Sequence, residues 1–176
     1  ISTGLQRTNV SNNALLNFSG VFSIASAVNV TSLSGFRVIC SKQGEFAFLV
    51  STTGAVMFRA YENGTTNYVD ITSPVGSIVT GNNYLIEVKA DGTNSRTGYR
   101  LYINGVEQTR SYGGNIGDLT LGIVSGTNEF VIGYSVTMAW TMYGNISQLA
   151  LWNYSTPQGV SDGVYNNGNF KLFSTW

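Results

Sequence analysis

Histidine is absent from this 176-residue chain and cysteine occurs once. Without histidine, neither a Ser-His-Asp nor a Cys-His nucleophile can be assembled, nor any histidine-based zinc site. Cys40 has no second cysteine to bond, so cysteine usage says nothing about redox compartment. In the apolar run from Phe36 to Ser41 it reads as a small buried hydrophobe. Charge is scarce too. Only 10% of residues are charged, nine basic against nine acidic, for a formal net charge of zero; about 25% is usual. The basic residues are scattered, which argues against nucleic acid as a partner, because phosphate binding needs a basic patch. No apolar run approaches the roughly 20 residues of a membrane span, so no membrane insertion is expected. No secretory leader or initiator Met is present, and a chain starting at Ile1 is expected to be a domain excised from a longer protein.

Ser, Thr, Asn and 21 Gly supply the polar surface in place of charge. Six Asn-x-Ser/Thr triplets, at Asn9, Asn17, Asn29, Asn63, Asn145 and Asn153, are read as a product of that composition rather than as glycan acceptors. The length fits one domain, residues 1–176. A chain of this size buries roughly 70% of its unfolded surface, enough to fold without metal or disulfides.

The clearest organisation lies between Tyr84 and Arg110. Tyr84, Ile86, Val88 and Ala90 share one face of an extended chain, with Glu87 and Lys89 on the other. The residues from Asp91 to Ser95 tolerate turn geometry. Tyr99, Leu101 and Ile103 then alternate with Arg100, Tyr102 and Asn104. Asn104-Gly105 follows, the pair favoured where a type I′ hairpin turn needs positive φ twice.

Elsewhere the reading is of short strands. Residues 1–13 form an edge strand or a loose lead-in. Leu15 to Phe18 and Val21 to Val30 are strands, and Phe36 to Ser41 is apolar enough to be buried on both faces. Glu45 to Ser51 follows. Ala55 to Glu62 sets Val56, Phe58 and Ala60 against Met57, Arg59 and Tyr61, and Asn63-Gly64 then turns into Tyr68 and Asp70 alternating with Val69 and Ile71. Residues 111–129 are glycine-rich loops around one short strand from Leu119 to Val124. Phe130 to Ile132 is a strand, Tyr134 to Tyr143 a second loop, and Asn145 to Trp152 a strong strand in which Trp152 is expected between the sheets. A short helix over Gln158 to Tyr165 and a last strand from Phe170 to Trp176 end the chain. About a dozen strands with turn signals every 8–12 residues indicate an all-β sandwich or barrel.

Three stretches carry a resemblance: Phe22-Ser-Ile-Ala-Ser-Ala-Val28 with the turn Leu33-Ser34-Gly35; Tyr84 to Ala90 with Tyr99-Arg-Leu-Tyr-Ile-Asn-Gly-Val106; and Gly144-Asn-Ile-Ser-Gln-Leu-Ala-Leu-Trp-Asn153 with Tyr165-Asn-Asn-Gly168. Together they resemble the concanavalin A-like lectin/glucanase superfamily, in its laminin-G-like and pentraxin-like branch. The resemblance implies a jelly-roll sandwich of two curved antiparallel sheets with at most one short helix near the C-terminus. It also implies a glycan- or protein-binding role, as in bacterial surface proteins and phage structural proteins.

The superfamily includes glycoside hydrolases, which place acids as Glu-x-Asp-x-x-Glu on one strand. Catalytic pairs need carboxyls about 5–5.5 Å or about 6.5–9.5 Å apart. Here the closest acids in sequence, Glu87 and Asp91, are four residues apart, about 13 Å if extended, so a non-catalytic module is expected. Relatives often bind calcium, and Asp91, Asn94 and Asp118 are the available loop ligands for Ca2+, although Asp91 and Asn94 also suit turns. A saccharide site needs aromatic faces and amide or hydroxyl groups; Trp140, Tyr112, Tyr143, Tyr61, Tyr68 and Asn128 are the candidates, Trp140 foremost. The expected partner is a cell-surface glycan or a neighbouring protein subunit, including a second copy of the chain. The expected setting is extracellular, on a cell surface or virion, with structural assembly in a virion as the alternative to glycan binding and adhesion.

Overall fold

The computed structural model describes residues 7–154 except 19, 124, 125 and 137. The strands run in chain order as β1 (Thr8–Val10), β2 (Val21–Val30), β3 (Arg37–Lys42), β4 (Phe46–Val50), β5 (Val56–Tyr61), β6 (Tyr68–Thr72) and β7 (Asn83–Asp91). After a 3-10 turn at Arg96–Gly98 come β8 (Tyr99–Ile103), β9 (Val106–Glu107), β10 (Ser111–Gly114) and β11 (Phe130–Ile132). Then follow β12 (Tyr134–Ser135), β13 (Trp140–Thr141) and β14 (Gly144–Trp152). They build a seven-stranded sheet, β1-β11-β3-β4-β5-β6-β10, and a five-stranded sheet, β14-β2-β7-β8-β9, with β12 and β13 as a separate ribbon. Every pairing is antiparallel. The architecture is a jelly-roll sandwich.

Period-2 alternation sends one set of side chains from each sheet into the space between them. Phe22, Ile24 and Val28 of β2 meet Phe46, Phe48 and Phe58 of β4 and β5 in one buried cluster. Phe58 sits among Phe22, Phe46 and Tyr99 at ring-centroid distances of 5.8, 5.9 and 5.6 Å, within the range where aromatic pairs attract beyond simple burial. Strand β3 is buried along its whole length, as its apolar run suggested, and Cys40 lies in it as a free, buried thiol. The turn between β8 and β9 has the backbone that Asn-Gly encodes, with φ of 51° at Asn104 and 77° at Gly105.

Several expectations fail. The stretches expected as loops over 111–129 and 134–143 contain paired strands, β10 against β6 and the β12–β13 ribbon, whose short lengths and glycines hide the alternation. Leu15 lies in a 3-10 turn, Ala14–Leu16, not a strand; Leu16 and Asn17 donate their N–H groups to the carbonyls of Asn13 and Ala14, three residues back. Between Leu119 and Ile123 the chain makes a turn, closed by Gly122 N–H to the Leu119 carbonyl with φ of 76° at Gly122, and a single bridge joins Ile123 to Glu62. Leu119 is fully buried, so its apolarity reports an anchor for a loop. Trp152 is not between the sheets: it pairs across from Ser23 and packs with Ala25 and Leu85 on the outer face of the five-stranded sheet. A register shift between Ile146 and Gln148 moves the later residues of β14 by one position, and a one-residue slip exchanges faces. Leu151, opposite Ile24, takes the inner place. Glu87 and Lys89 lie on that outer face too, both buried and 3.6 Å apart. The helix expected over 158–165 and the strand over 170–176 lie outside the described residues.

Candidate functional site

Residues of the seven-stranded sheet that alternate away from the core form its outer face. Cross-strand partners share a face, so the register fixes who stands together: Ala47 opposite Arg59, Leu49 opposite Met57, Arg59 opposite Asp70, and Tyr61 opposite Tyr68. The face has two halves. One is apolar, where Val38, Ala47, Leu49 and Met57 form a buried cluster beneath Phe36, Met138 and Trp140. The other is polar and aromatic, built by β5 and β6.

In the polar half, Arg59 and Asp70 form a bidentate pair. Arg59 Nε donates to Asp70 Oδ1 and an η nitrogen donates to Oδ2, both at 2.7 Å, the two-pronged geometry that makes guanidinium–carboxylate pairs strong and directional. The guanidinium lies 4.0 Å from the centre of the Tyr68 ring, a cation–π distance, and its other η nitrogen meets Met138 Sδ at 3.6 Å. Burial pulls the Arg59 pKa down, but the hydrogen bond and charge of Asp70, with help from Tyr61, outweigh it and raise the pKa overall. The Tyr61 and Tyr68 rings stand 5.8 Å apart, both half-buried.

The turn joining β5 to β6 is held by Glu62, whose side chain is buried. One carboxylate oxygen accepts from the Thr120 hydroxyl at 2.8 Å and the Leu121 N–H at 3.3 Å; the other accepts from Asn67 Nδ2 at 3.0 Å and the Thr65 hydroxyl at 3.3 Å. These donors, led by Asn67 and Thr120, lower its pKa to about 2. Asn115 Oδ1 accepts from the Tyr68 N–H at 2.8 Å. Both tyrosines are therefore seated by a network on either side of the turn.

Trp140, on β13, stacks on Phe36 at 4.1 Å with 25° between planes. It is half-buried on the apolar half of the same face as Tyr61 and Tyr68. Tyr143 is exposed with the Arg37 guanidinium 4.5 Å from its ring; Arg37 pairs with Val50 of the inter-sheet core, so the register does not bring Tyr143 to the outer face. Asn128 donates to the Gln43 carbonyl at 2.9 Å, and the neighbouring Glu45 carbonyl accepts from Tyr61 N–H, so Asn128 borders the Tyr61 end of the sheet. Tyr112 does not join this group. It pairs with Ile71, which points into the core, and packs against that core under Arg96 at 5.2 Å. The residues sequence reasoning left out are Arg59, Asp70 and Met138. A two-residue turn at Asn63-Gly64 would have set Arg59 opposite Tyr68; the observed loop spans residues 63–66, closed by Glu62 N–H to the Asn67 carbonyl, and that longer loop brings Arg59 opposite Asp70.

Asp91, Asn94 and Asp118 are engaged in loop construction. Asp91 Oδ1 accepts from the Thr93 N–H and hydroxyl at 2.9 and 2.6 Å. Asp118 Oδ1 accepts from the Arg96 N–H and Ser95 hydroxyl at 2.8 and 3.0 Å, which lowers its pKa. The Asn94 carbonyl accepts from Leu119 N–H. Among the described residues no three acidic or cysteine side chains converge as a metal-binding group.

A family model of the concanavalin A-like lectin/glucanases superfamily matches residues 3–159. The chain belongs to that superfamily. No curated protein matches its sequence significantly. Among solved structures, this superfamily member is similar to the CBM40 domain of the Ruminococcus gnavus IT-sialidase, bound to α2,3-sialyllactose: TM-score 0.62 and 13% identity over 92% of this chain and 99% of that one. It is also similar to the binding domain of Paraclostridial Mosquitocidal Protein 1, with TM-score 0.66 and 12% identity over 92% of this chain and 41% of that one. A third similar structure is the heptameric SAP-like pentraxin of Limulus polyphemus, with TM-score 0.55 and 15% identity over 90% and 80% of the two chains. At these identities the likeness is one of fold.

Proposed function

We propose that this single domain is a non-catalytic carbohydrate-binding module of a larger extracellular or surface-exposed protein, and that saccharide seats on the outer face of the seven-stranded sheet. The observation that carries the reading is the Tyr61–Tyr68 ring pair beside the Arg59–Asp70 fork. Aromatic faces take the C–H patches of a sugar ring, and the fork supplies fixed polar groups for its hydroxyls. Trp140 extends the aromatic surface and Asn128 adds an amide at its edge. The similarity to a sialidase CBM40 domain solved with a bound saccharide supports the class of ligand. Each oxygen of Asp70 accepts one hydrogen bond from Arg59, which fixes the carboxylate in place while leaving lone pairs for saccharide hydroxyls.

The test is a glycan array with the purified chain and a Tyr68→Ala variant. Reproducible binding to one saccharide class, weakened at least tenfold in the variant, is expected. A blank array sinks the reading and favours the alternative, an assembly module of a virion or surface layer. That alternative draws on the charge-poor surface and on exposed apolar side chains such as Val106, at 63%, and Leu121, at 61%, which cost little to desolvate against a neighbouring subunit or a second copy.

A further inference from the structure

We propose that this site selects neutral saccharides and rejects sialic acids and other acidic sugars, although the fold is shared with a domain that was solved with sialyllactose. The inference rests on the proposed site and concerns its charge. A sugar carboxylate is recognised by a guanidinium or ammonium free to turn toward it. On the polar half of this face the cation is Arg59, and its charge is already spent. Two of its three nitrogens bind Asp70 at 2.7 Å, the third meets Met138 Sδ, and its plane lies against Tyr68. With side-chain exposures of 16% for Arg59 and 14% for Asp70, the pair is sheltered from screening. An incoming carboxylate would have to displace Asp70 from a well-formed bidentate contact, or sit beside it as a like charge.

Among the described residues, no other cation stands on the polar half of the face in place of Arg59. Lys42 points inward to Glu45 at 3.0 Å, fully buried. Arg37 is buried and donates to the Ser32 and Phe36 carbonyls and the Ser34 hydroxyl. Arg7 lies over the Tyr134 ring at 5.5 Å, beside the β12–β13 ribbon. A neutral hexose needs no free cation. It gains from the Tyr61 and Tyr68 rings, and its hydroxyls meet the remaining acceptor lone pairs of Asp70 and the free η hydrogens of Arg59 without breaking the pair.

The experiment is a paired titration of the intact chain with lactose and N-acetyllactosamine and with their α2,3- and α2,6-sialylated forms, at low and at physiological salt. The neutral members of each pair are expected to bind at least tenfold more tightly than the sialylated ones, with little salt dependence. Asp70→Asn, which releases the Arg59 charge while keeping the side-chain shape, is expected to narrow or reverse that preference. Tighter binding of a sialylated form by the unaltered chain, weakening with salt, overturns the inference whether or not the variant folds. If neutral and acidic forms both bind and Tyr68→Ala binds them equally well, or if neither binds at either salt while the array also stays blank, the site itself is wrongly placed or absent, and the inference falls with it.

Discussion

Replacing Lys42 by Met tests the reading of how this chain tolerates charge in its interior. Lys42 and Glu45 are the most deeply buried ion pair described, with side chains 0% and 1% exposed and Nζ 3.0 Å from Oε2. Lys42 also donates to Asn17 Oδ1 and to the Gly126 carbonyl, and the second Glu45 oxygen accepts from Gly126 N–H at 3.0 Å. The pair thus clips two loops to the β3–β4 hairpin. Met keeps the volume but leaves a buried carboxylate uncompensated and two acceptors without their donor, a change that costs about 3–5 kcal/mol. For a domain of this size each kcal/mol moves Tm by about 2–4 °C, so a fall of about 6–20 °C is expected in a melt at neutral pH. The pH dependence has a definite sign. Burial raises the Glu45 pKa, and the Lys42 hydrogen bond and charge oppose that rise. Without Lys42 the folded-state pKa climbs further above its unfolded value. An acid so shifted destabilises the fold as pH rises through that window, so the deficit of Lys42→Met is largest at neutral pH and shrinks on acidification. Lys42→Met/Glu45→Gln, which removes the stranded charge, is expected to recover much of the loss. A deficit below about 1 kcal/mol, or one that is the same at about pH 4 and about pH 7, would refute the argument.

Other outcomes follow from the same geometry. Glu62 has a folded pKa of about 2, below its unfolded value, so its contribution is present above the unfolded pKa and lost as pH falls toward 2; Glu62→Gln is expected to flatten that acid limb in denaturation series, and an unchanged limb would assign it to other carboxylates. Gly144 has φ of 142°, and a Cβ there would lie 1.9 Å from the Asn29 carbonyl oxygen, so Gly144→Ala is expected to cost on the order of 2 kcal/mol or more. Gly64, at φ of 72° with open space around it, bears only the left-handed backbone cost of about 1 kcal/mol on the same change; equal losses for the two would contradict the steric reading. Trp140→Ala is expected to weaken saccharide binding and also to lower Tm measurably, because Trp140 stacks on Phe36 over an apolar cluster; retained affinity would remove it from the site.

The sandwich was legible because its strands alternate cleanly and its turns carry residues with one conformational use, as at Asn104-Gly105. What escaped was set by relations between strands. The slip near Ser147 in β14 decides which face Trp152 takes, and nothing within the strand announces it. Leu119 reads as strand because it is apolar, yet the glycine three residues on closes a turn and the side chain serves as a plug. In the candidate site, Tyr61 and Tyr68 stand out in sequence as aromatics near strand ends, and the hairpin register brings them together. Tyr112 stands out on the same ground but lies on the other face of its sheet. Arg59 and Asp70 look like scattered solvated charges in sequence, and only cross-strand pairing turns the two into a unit.

The most direct test of the account maps the ligand onto the chain. With 15N-labelled protein titrated by the tightest saccharide from the array, amide shifts are expected at Arg59, Tyr61, Tyr68 and Asp70 and at the ribbon around Trp140. Shifts confined to the outer face of the five-stranded sheet, or to the loops at Asp91 and Asp118, would contradict the assignment of this face as the binding surface.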